Sequence, residues 1–589
     1  MIKNNTLFGF LSLFKKKEIL IISAIFCFIF SLFCLFSVMG AGDGVWFFYA
    51  KQYLSNTRLY SELHLVQQPI FILYNAFGIK FFGDSYLAQK FLFVPLIAIH
   101  LYLTYLLVLK ADLSSLLSAL LYLAVFFVGI HFEAYRFDDY HFFANTLILF
   151  LLLFFVDYSD ESLFTPLIKI FFCGVISTLC LLTRVNDGLL YWLITLIFIV
   201  CLAKPSFKKD TFVFILSSII TFAITLSVIR ETPFDWIKST IFDAASNKGG
   251  AGLLITPFLL IVNSFDYLVT IFSNFSYSLI SLILLLSVVI VNLSSLGFIN
   301  LIFLFFLVFH LALWINRSPV DLISNFTAIS ILGLLGYWLL LLFNFLISIN
   351  KKTFSILNLR LIFILAFPTL AFVSGAISSG GHHFGLYFPA ALFLLSTPYV
   401  GELNKLNKIC FGFGLALLVL SGLIFRFNNP YSWHSYYSSN PMLVERKLEW
   451  NNSLGWIYMD EKLKQFILPV CKTVEKDATL LSLPFPFANY YCGIPIWHGY
   501  VQTFFDTASS QSIDRLKDEL DRSPPDYVFY QQQLDNLRGH EIIFNKSNPL
   551  PHRMLDKLII QKIETGKWMV VYKSNYGVGN NWYLIKTNE

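Results

Sequence analysis

Long apolar runs alternate with short polar breaks from Leu20 to Phe425, and beyond Asn428 the alternation stops. An apolar helix needs about 20 residues to cross ~30 Å of hydrocarbon, and this ruler divides the chain into roughly thirteen spans. The first is Leu20 to Phe36, followed by Tyr86 to Leu109, Leu113 to Ile130, Phe142 to Val156, Leu167 to Leu182, Leu189 to Leu202 and Phe212 to Val228. The later set is Tyr277 to Val291, Leu301 to Trp314, Ile323 to Ile347, Leu361 to Ile377, Leu386 to Leu395 with its flanks, and Phe411 to Phe425. Leu253 to Val262 reads as an interfacial segment, and the pair flanking Arg317 is the least sharply bounded. Between the first two spans Trp46, Phe47, Tyr49, Ala50, Tyr53 and Leu54 recur at helical spacing, which predicts a short helix lying in the membrane interface.

Charge orients these spans. Lys15, Lys16 and Lys17 precede the first run and hold the N-terminus in the cytoplasm. The same parity brings Lys110, the Lys204/Lys208/Lys209 cluster, Lys351/Lys352 and Lys405/Lys408 to the cytoplasmic side, and an odd span count sends the C-terminal part outside. The predicted architecture is a polytopic α-helical membrane protein with a transmembrane domain over 1–427, whose first external loop is 39–85, and a soluble external domain over 428–589. In that domain Ser512 to Leu520 has the pattern of an amphipathic helix, while Asp526 to Tyr530 and Trp568 to Tyr572 read as strands, giving a small α/β or α+β fold.

The composition excludes a soluble globular protein: 57% of the 589 residues are hydrophobic and 13% charged, against ~45–50% apolar in soluble domains. The net charge of +6 is small and spread over loops, so it is an orientation signal and no nucleic-acid partner is expected. The first run lacks a small-x-small cleavage site and is expected to remain as an anchor. Of the cysteines, Cys27, Cys34, Cys173, Cys180, Cys201 and Cys410 lie in or beside spans as plain apolar residues. Cys471 and Cys492 fall in the soluble part, as a disulfide or as two buried thiols.

Candidate chemistry collects on the outer face. Asp43, delivered there by the first span, stands where the interfacial helix would start. Around it should lie the loop from His131 to His141 with Glu133, Arg136, Asp138 and Asp139, and the loop from Thr183 to Gly188 with Arg184 and Asp187. Arg230-Glu231 with Asp235 to Gly250, which includes Lys248, and Ser378 to His383 with His382 and His383 complete the set. Ionisable residues at membrane depth cost several kcal/mol unless paired or in a wet cavity, so such a cluster marks a site, although each is also compatible with ordinary solvated loop residues. Arg184 suits phosphate through its planar fork, or snorkels as an anchor. Lys248 in Asn247-Lys-Gly-Gly250 suits a phosphate or a plain turn. A divalent metal is compatible with the paired histidines, but no third ligand is defined.

The first loop resembles that of GT-C membrane glycosyltransferases, closest to the protein mannosyltransferase and aminoarabinose transferase superfamily. The resemblance rests on Asp43 just beyond the first span, the interfacial helix from Trp46 to Leu54, the step Gln67-Gln68-Pro69 and the Phe82-Gly83 close. Gly44 stands where many relatives carry a second acid, and Gln67-Gln68-Pro69 where they carry Lys-Pro-Pro. The resemblance implies Asp43 as catalytic carboxylate, a second acid at Asp138 or Asp139 with Glu133 competing, and His382, His383 and Tyr387 near the donor phosphate. It further implies transfer of a sugar from a polyprenyl-phosphate donor to a glycan, lipid or protein hydroxyl, beside membrane lipid, at the outer face of the bacterial cytoplasmic membrane. Asp43 would then act as general base and Arg184, Arg136 or His383 would stabilise the leaving phosphate, with inversion at the anomeric carbon. A transporter or flippase of lipid-linked glycans, or a membrane scaffold, remains the alternative.

Overall fold

The structure, a computed structural model, describes residues 15–36, 44–129, 137–157, 166–202, 207–246, 254–272, 356–382, 386–399, 405–428, 446–504, 507–532, 534–544, 548–576 and 581–587, with scattered positions between 326 and 342. The two spans predicted on either side of residue 296 lie outside the described residues, as does most of the span after Arg317.

The apolar runs fold as helices. The first, α1 (Lys16–Leu35), is followed by α2 (Val45–Leu54), α3 (Pro69–Phe82), α4 (Tyr86–Phe91), α5 (Val94–Lys110), α6 (Ser115–Gly129) and α7 (Tyr140–Asp157). Next come α8 (Pro166–Leu181), α9 (Val185–Leu202), α10 (Phe207–Ile229), α11 (Thr256–Phe272), α12 (Ile356–Ser379), α13 (Tyr387–Ser396) and α14 (Lys405–Asn428). Among the described residues, five helical stretches are long and apolar enough to cross a membrane: Lys16–Leu35, Tyr86–Lys110, Tyr140–Asp157, Lys208–Ile229 and Ile362–Ser379. Ile21, Ile25, Ile29 and Phe33 form an exposed apolar stripe on α1. Such a stripe has no place in water, and the chain is a multi-pass membrane protein.

Packing centres on α6, which lies against α1, α13 and α14. Phe127 is its main knob, edge-on to Phe30 with ring centroids 5.5 Å apart. α8 and α10 approach closely at Gly174, where a Cβ would lie 2.0 Å from the Ser217 hydroxyl oxygen. Small residues permit that contact where lipid supplies no hydrophobic drive between helices. The predicted span from Tyr86 runs to Lys110 as one membrane-length stretch with a turn at Leu92 and Phe93, where Pro95 in the first turn of α5 has no amide to donate into α4. Of the predicted interfacial segment Leu253 to Val262, the part from Thr256 onward belongs to a longer helix, α11 (Thr256–Phe272), which packs on α12.

The C-terminal region holds a β-hairpin, β1 (Arg446–Asn451) with β2 (Gly455–Asp460), and a four-stranded sheet. The sheet strands are β3 (Leu480–Leu483), β4 (Tyr527–Gln532), β5 (Trp568–Ser574) and β6 (Asn581–Thr587), in the order β3-β4-β6-β5 with only β3 and β4 parallel. Five helices accompany it: α15 (Glu461–Thr473), α16 (Phe487–Cys492), α17 (Ser510–Arg522), α18 (Leu534–Phe544) and α19 (Pro551–Glu564). Side chains alternate across a strand, so β4 sends Tyr527 and Phe529 to one face, with Phe466 of α15 and Phe487 of α16. It sends Val528 and Tyr530 to the other, with Leu516 of α17 and Leu555 of α19. A disulfide joins Cys471 of α15 to Cys492 of α16.

Candidate functional site

The first loop is fixed from several directions at one end of the helix bundle. Pro69 opens α3 at a position where a missing amide costs nothing. Beside it the Ile70 amide donates to the Leu182 carbonyl at 3.0 Å, next to the Thr183–Gly188 loop. The Gln68 side-chain carbonyl accepts from the Trp236 indole at 2.9 Å. Glu231, 7% exposed, accepts on Oε1 from the Tyr60 amide at 2.8 Å and from the Ser61 amide at 3.2 Å. Its other oxygen, Oε2, is buried with no hydrogen bond among the described residues. Arg230 donates to the Asn56 side chain at 2.8 Å.

Helix α2 is capped by Gly44, whose φ of +89° is a left-handed conformation suited to glycine. A Cβ there would meet the Tyr490 side chain at 2.7 Å, so the C-terminal region lies directly on the start of the helix. Phe47 packs edge-on against Tyr490 with centroids 5.6 Å apart, and the Tyr490 hydroxyl donates to Gln89 at 2.9 Å. On its other side Trp46 packs against Tyr140, 5.3 Å between centroids, at the start of α7. Further along the loop, Arg515 donates to the Glu62 carbonyl at 3.3 Å. Burial, with Arg515 and Lys238 nearby, holds the His64 pKa below its ordinary value against the opposite pull of Asp243.

Of the acids expected near Asp43, Asp138 forms a buried ion pair with Lys90, and the Lys90 ammonium also lies 5.1 Å from the Tyr86 ring centre. Asp139 stands at the N-terminus of α7, where Oδ1 accepts from the His141 amide at 2.8 Å and lies 2.6 Å from the His141 ring nitrogen Nδ1. That is the bond an N-cap carboxylate makes to the first turn. Arg184 pairs with Asp187 at 2.5 Å and donates to the Ser378 hydroxyl at 2.9 Å, which ties the α8–α9 turn to the end of α12. Beyond α12 the chain turns through Gly380 and Gly381, and the His382 carbonyl accepts from the Ser379 hydroxyl at 2.7 Å. Tyr387 opens α13 and is buried. Asp43, Glu133, Arg136, Lys248 and His383 lie outside the described residues. Among the described residues no three His, Cys, Asp or Glu side chains converge as metal ligands.

Two features escaped the sequence reading. Lys90 is an ammonium within a membrane-length apolar run, and that was a signal in itself. Tyr490 carried none, being one aromatic residue in an aromatic-rich segment.

No known family model matches the chain, and no curated protein sequence is similar to it. Among solved structures, the chain is similar to the crystal structure of ArnT from Cupriavidus metallidurans bound to undecaprenyl phosphate, with 11% identity, 98% of each chain covered and a TM-score of 0.39.

Proposed function

We propose that this chain is a membrane glycosyltransferase that moves a sugar from a polyprenyl-phosphate donor to an acceptor hydroxyl, at the outer face of the bacterial cytoplasmic membrane. The observation that carries the reading is the convergence of the first loop with the ends of α7, α8 and α10, through Trp46–Tyr140, Ile70–Leu182 and Tyr60–Glu231, with the α8–α9 turn tied in turn to the end of α12 by Arg184–Ser378. Asp43 precedes Trp46 by three residues, which the chain spans with about 10 Å at most. At the far end of α7 Asp157 pairs with Lys110, the last residue of α5, and beside it Lys16 at the start of α1 donates to the Leu109 carbonyl, so lysines gather at the end of α7 opposite Tyr140. This polarity supports an external site, as does the Cys471–Cys492 disulfide, a bond at home in an oxidising compartment.

In the proposed step the acceptor oxygen attacks the anomeric carbon, its proton passes to Asp43, and the bond from that carbon to the phosphate oxygen breaks. The polyprenyl phosphate leaves with the bonding electrons, and direct displacement inverts the centre. Arg184, with Arg136 and His383 from the neighbouring loops, is placed in this reading on the leaving phosphate. Asp138 and Asp139 are engaged by Lys90 and by the start of α7, so their part in the proposal is to hold the loop while Asp43 serves as base. The test is sugar transfer from a polyprenyl-phosphate sugar by purified wild-type and Asp43→Asn protein at equal folded amounts. General-base catalysis contributes ~10²–10⁴-fold, and a loss of that size is expected. Wild-type turnover by Asp43→Asn would reject the assignment.

A further inference from the structure

The C-terminal region contains a cavity that the transfer chemistry does not use. It opens where the parallel strands β3 and β4 end, at Leu483 and Pro484 on one side and Tyr530 and Gln531 on the other. After β3 the chain turns to α16, whose Phe487 packs on one face of the sheet. After β4 it runs through α18 to α19, whose Leu555 and Ile559 pack on the opposite face. Chains that leave neighbouring parallel strands toward opposite faces open a crevice at the carboxyl ends, and small ligands bind in such crevices. The cavity of about 50 Å³ admits a few water-sized groups, since one buried water needs ~10–15 Å³. One edge of a single sugar ring is of that size.

The lining sorts the candidate ligands. Thr503, Gln531, His552 and Asp556 supply polar groups, and Leu534 and Leu555 an apolar wall. Asp556 accepts from the Tyr530 hydroxyl and, at 3.2 Å, from the Gln532 amide, both on Oδ1, which leaves Oδ2 as an acceptor for a ligand hydroxyl. Thr503 lines the cavity with its amide committed to the Pro484 carbonyl at 2.8 Å, and its hydroxyl is a group that both donates and accepts. The described lining has a carboxylate and neither lysine nor arginine, so it disfavours phosphates and other anions. We propose that this cavity binds a neutral sugar, one ring entering edge-on, with Asp556 and Thr503 bonding its hydroxyls and Leu534 and Leu555 against its apolar face. The site stands independently of the transfer reaction.

The experiment is saturation-transfer NMR on the full chain in detergent micelles, titrated with glucose, galactose, mannose and N-acetylglucosamine, and with glucose 6-phosphate as the anionic comparison. At least one neutral sugar should bind. Thr503→Val, which removes the hydroxyl at constant shape, should weaken it roughly three- to tenfold, as expected for one hydrogen bond. Leu534→Trp, at a partly exposed position on the wall, should abolish it while circular dichroism and melting stay those of the wild type. Asp43→Asn should leave it unchanged, which separates this site from the transfer site. Binding that persists undiminished in both cavity variants, the absence of neutral-sugar binding, or displacement of the sugar by glucose 6-phosphate at lower concentration would each overturn the proposal.

Discussion

Lys90 and Asp138 form an ion pair in which both residues are buried, 4% and 9% exposed, joining the start of the second membrane stretch to the loop that precedes α7. A charge pair in such a place is weak as a source of net stability, but truncating one member takes a buried counterion from the other. Lys90→Met is therefore expected to destabilise the protein by about 3–5 kcal/mol, and Lys90→Met with Asp138→Leu to recover most of that loss. Thermal unfolding in detergent, followed by fluorescence, reads both. A Lys90→Met protein that melts with the wild type would show that the pair is solvated.

Glu231 holds the first loop by accepting from two of its amides. Bonds to a charged acceptor are worth about 1.5–3 kcal/mol each, so Glu231→Ala should loosen the segment around Tyr60 and Ser61 while Glu231→Gln, which retains one acceptor, should do so less. Limited proteolysis mapped by mass spectrometry should find new cleavage between Asn56 and Val66 in the alanine variant. Identical cleavage patterns in all three proteins would remove Glu231 from this role.

Gly44 meets two constraints at once, a left-handed backbone and the Tyr490 ring. Gly44→Ala should cost about 2–3 kcal/mol, of which ~1 is backbone and the rest crowding. Tyr490→Ala in the same chain should relieve only the crowding. The double-mutant cycle distinguishes the terms, and strict additivity would mean that the two residues do not touch.

Asp526 accepts from the Thr479 amide at 2.7 Å and hydroxyl at 2.8 Å, and these bonds hold its pKa below the usual carboxylate value. A folded pKa below the unfolded one gives stabilisation that is complete above the unfolded value of ~3.9 and is lost as pH falls through the folded value. Asp526→Ala should lower stability at pH 7 by about 1–2 kcal/mol, with the gap closing below pH ~4. Melting curves of both proteins from pH 7 to pH 3 check this, and a gap that stays constant contradicts it.

Local features were legible in the sequence, and partners were not. The aromatic spacing from Trp46 to Leu54 predicted a helix that the structure places at Val45–Leu54, and the strand read at Asp526 to Tyr530 is β4. Both are short-range patterns with a period of their own. Nothing local tells Asp138 that its counterion stands 48 residues earlier, or assigns Glu231 to amides 170 residues away. The disulfide was likewise undecided, because two cysteines 21 residues apart say nothing of distance until α15 and α16 are packed. The turn beside Pro95 was visible in principle, but a ruler of apolar length passes over a single proline.

Tyr490 lies on Gly44, and Phe47, Tyr49, Phe466 and Phe487 belong to one apolar cluster. This has a consequence for biosynthesis. Chains are made from the N-terminus at ~5–20 residues per second, so Val45–Leu54 emerges roughly 20 to 90 s before Tyr490. During that interval Phe47 has the earlier members of its cluster, such as Tyr60 and Ile72, but not the Tyr490 ring that packs edge-on against it. A chain that stops short of β3 inserts its spans yet keeps an uncovered aromatic face beside Asp43, making the last-translated segment the closing step in assembly of the first loop.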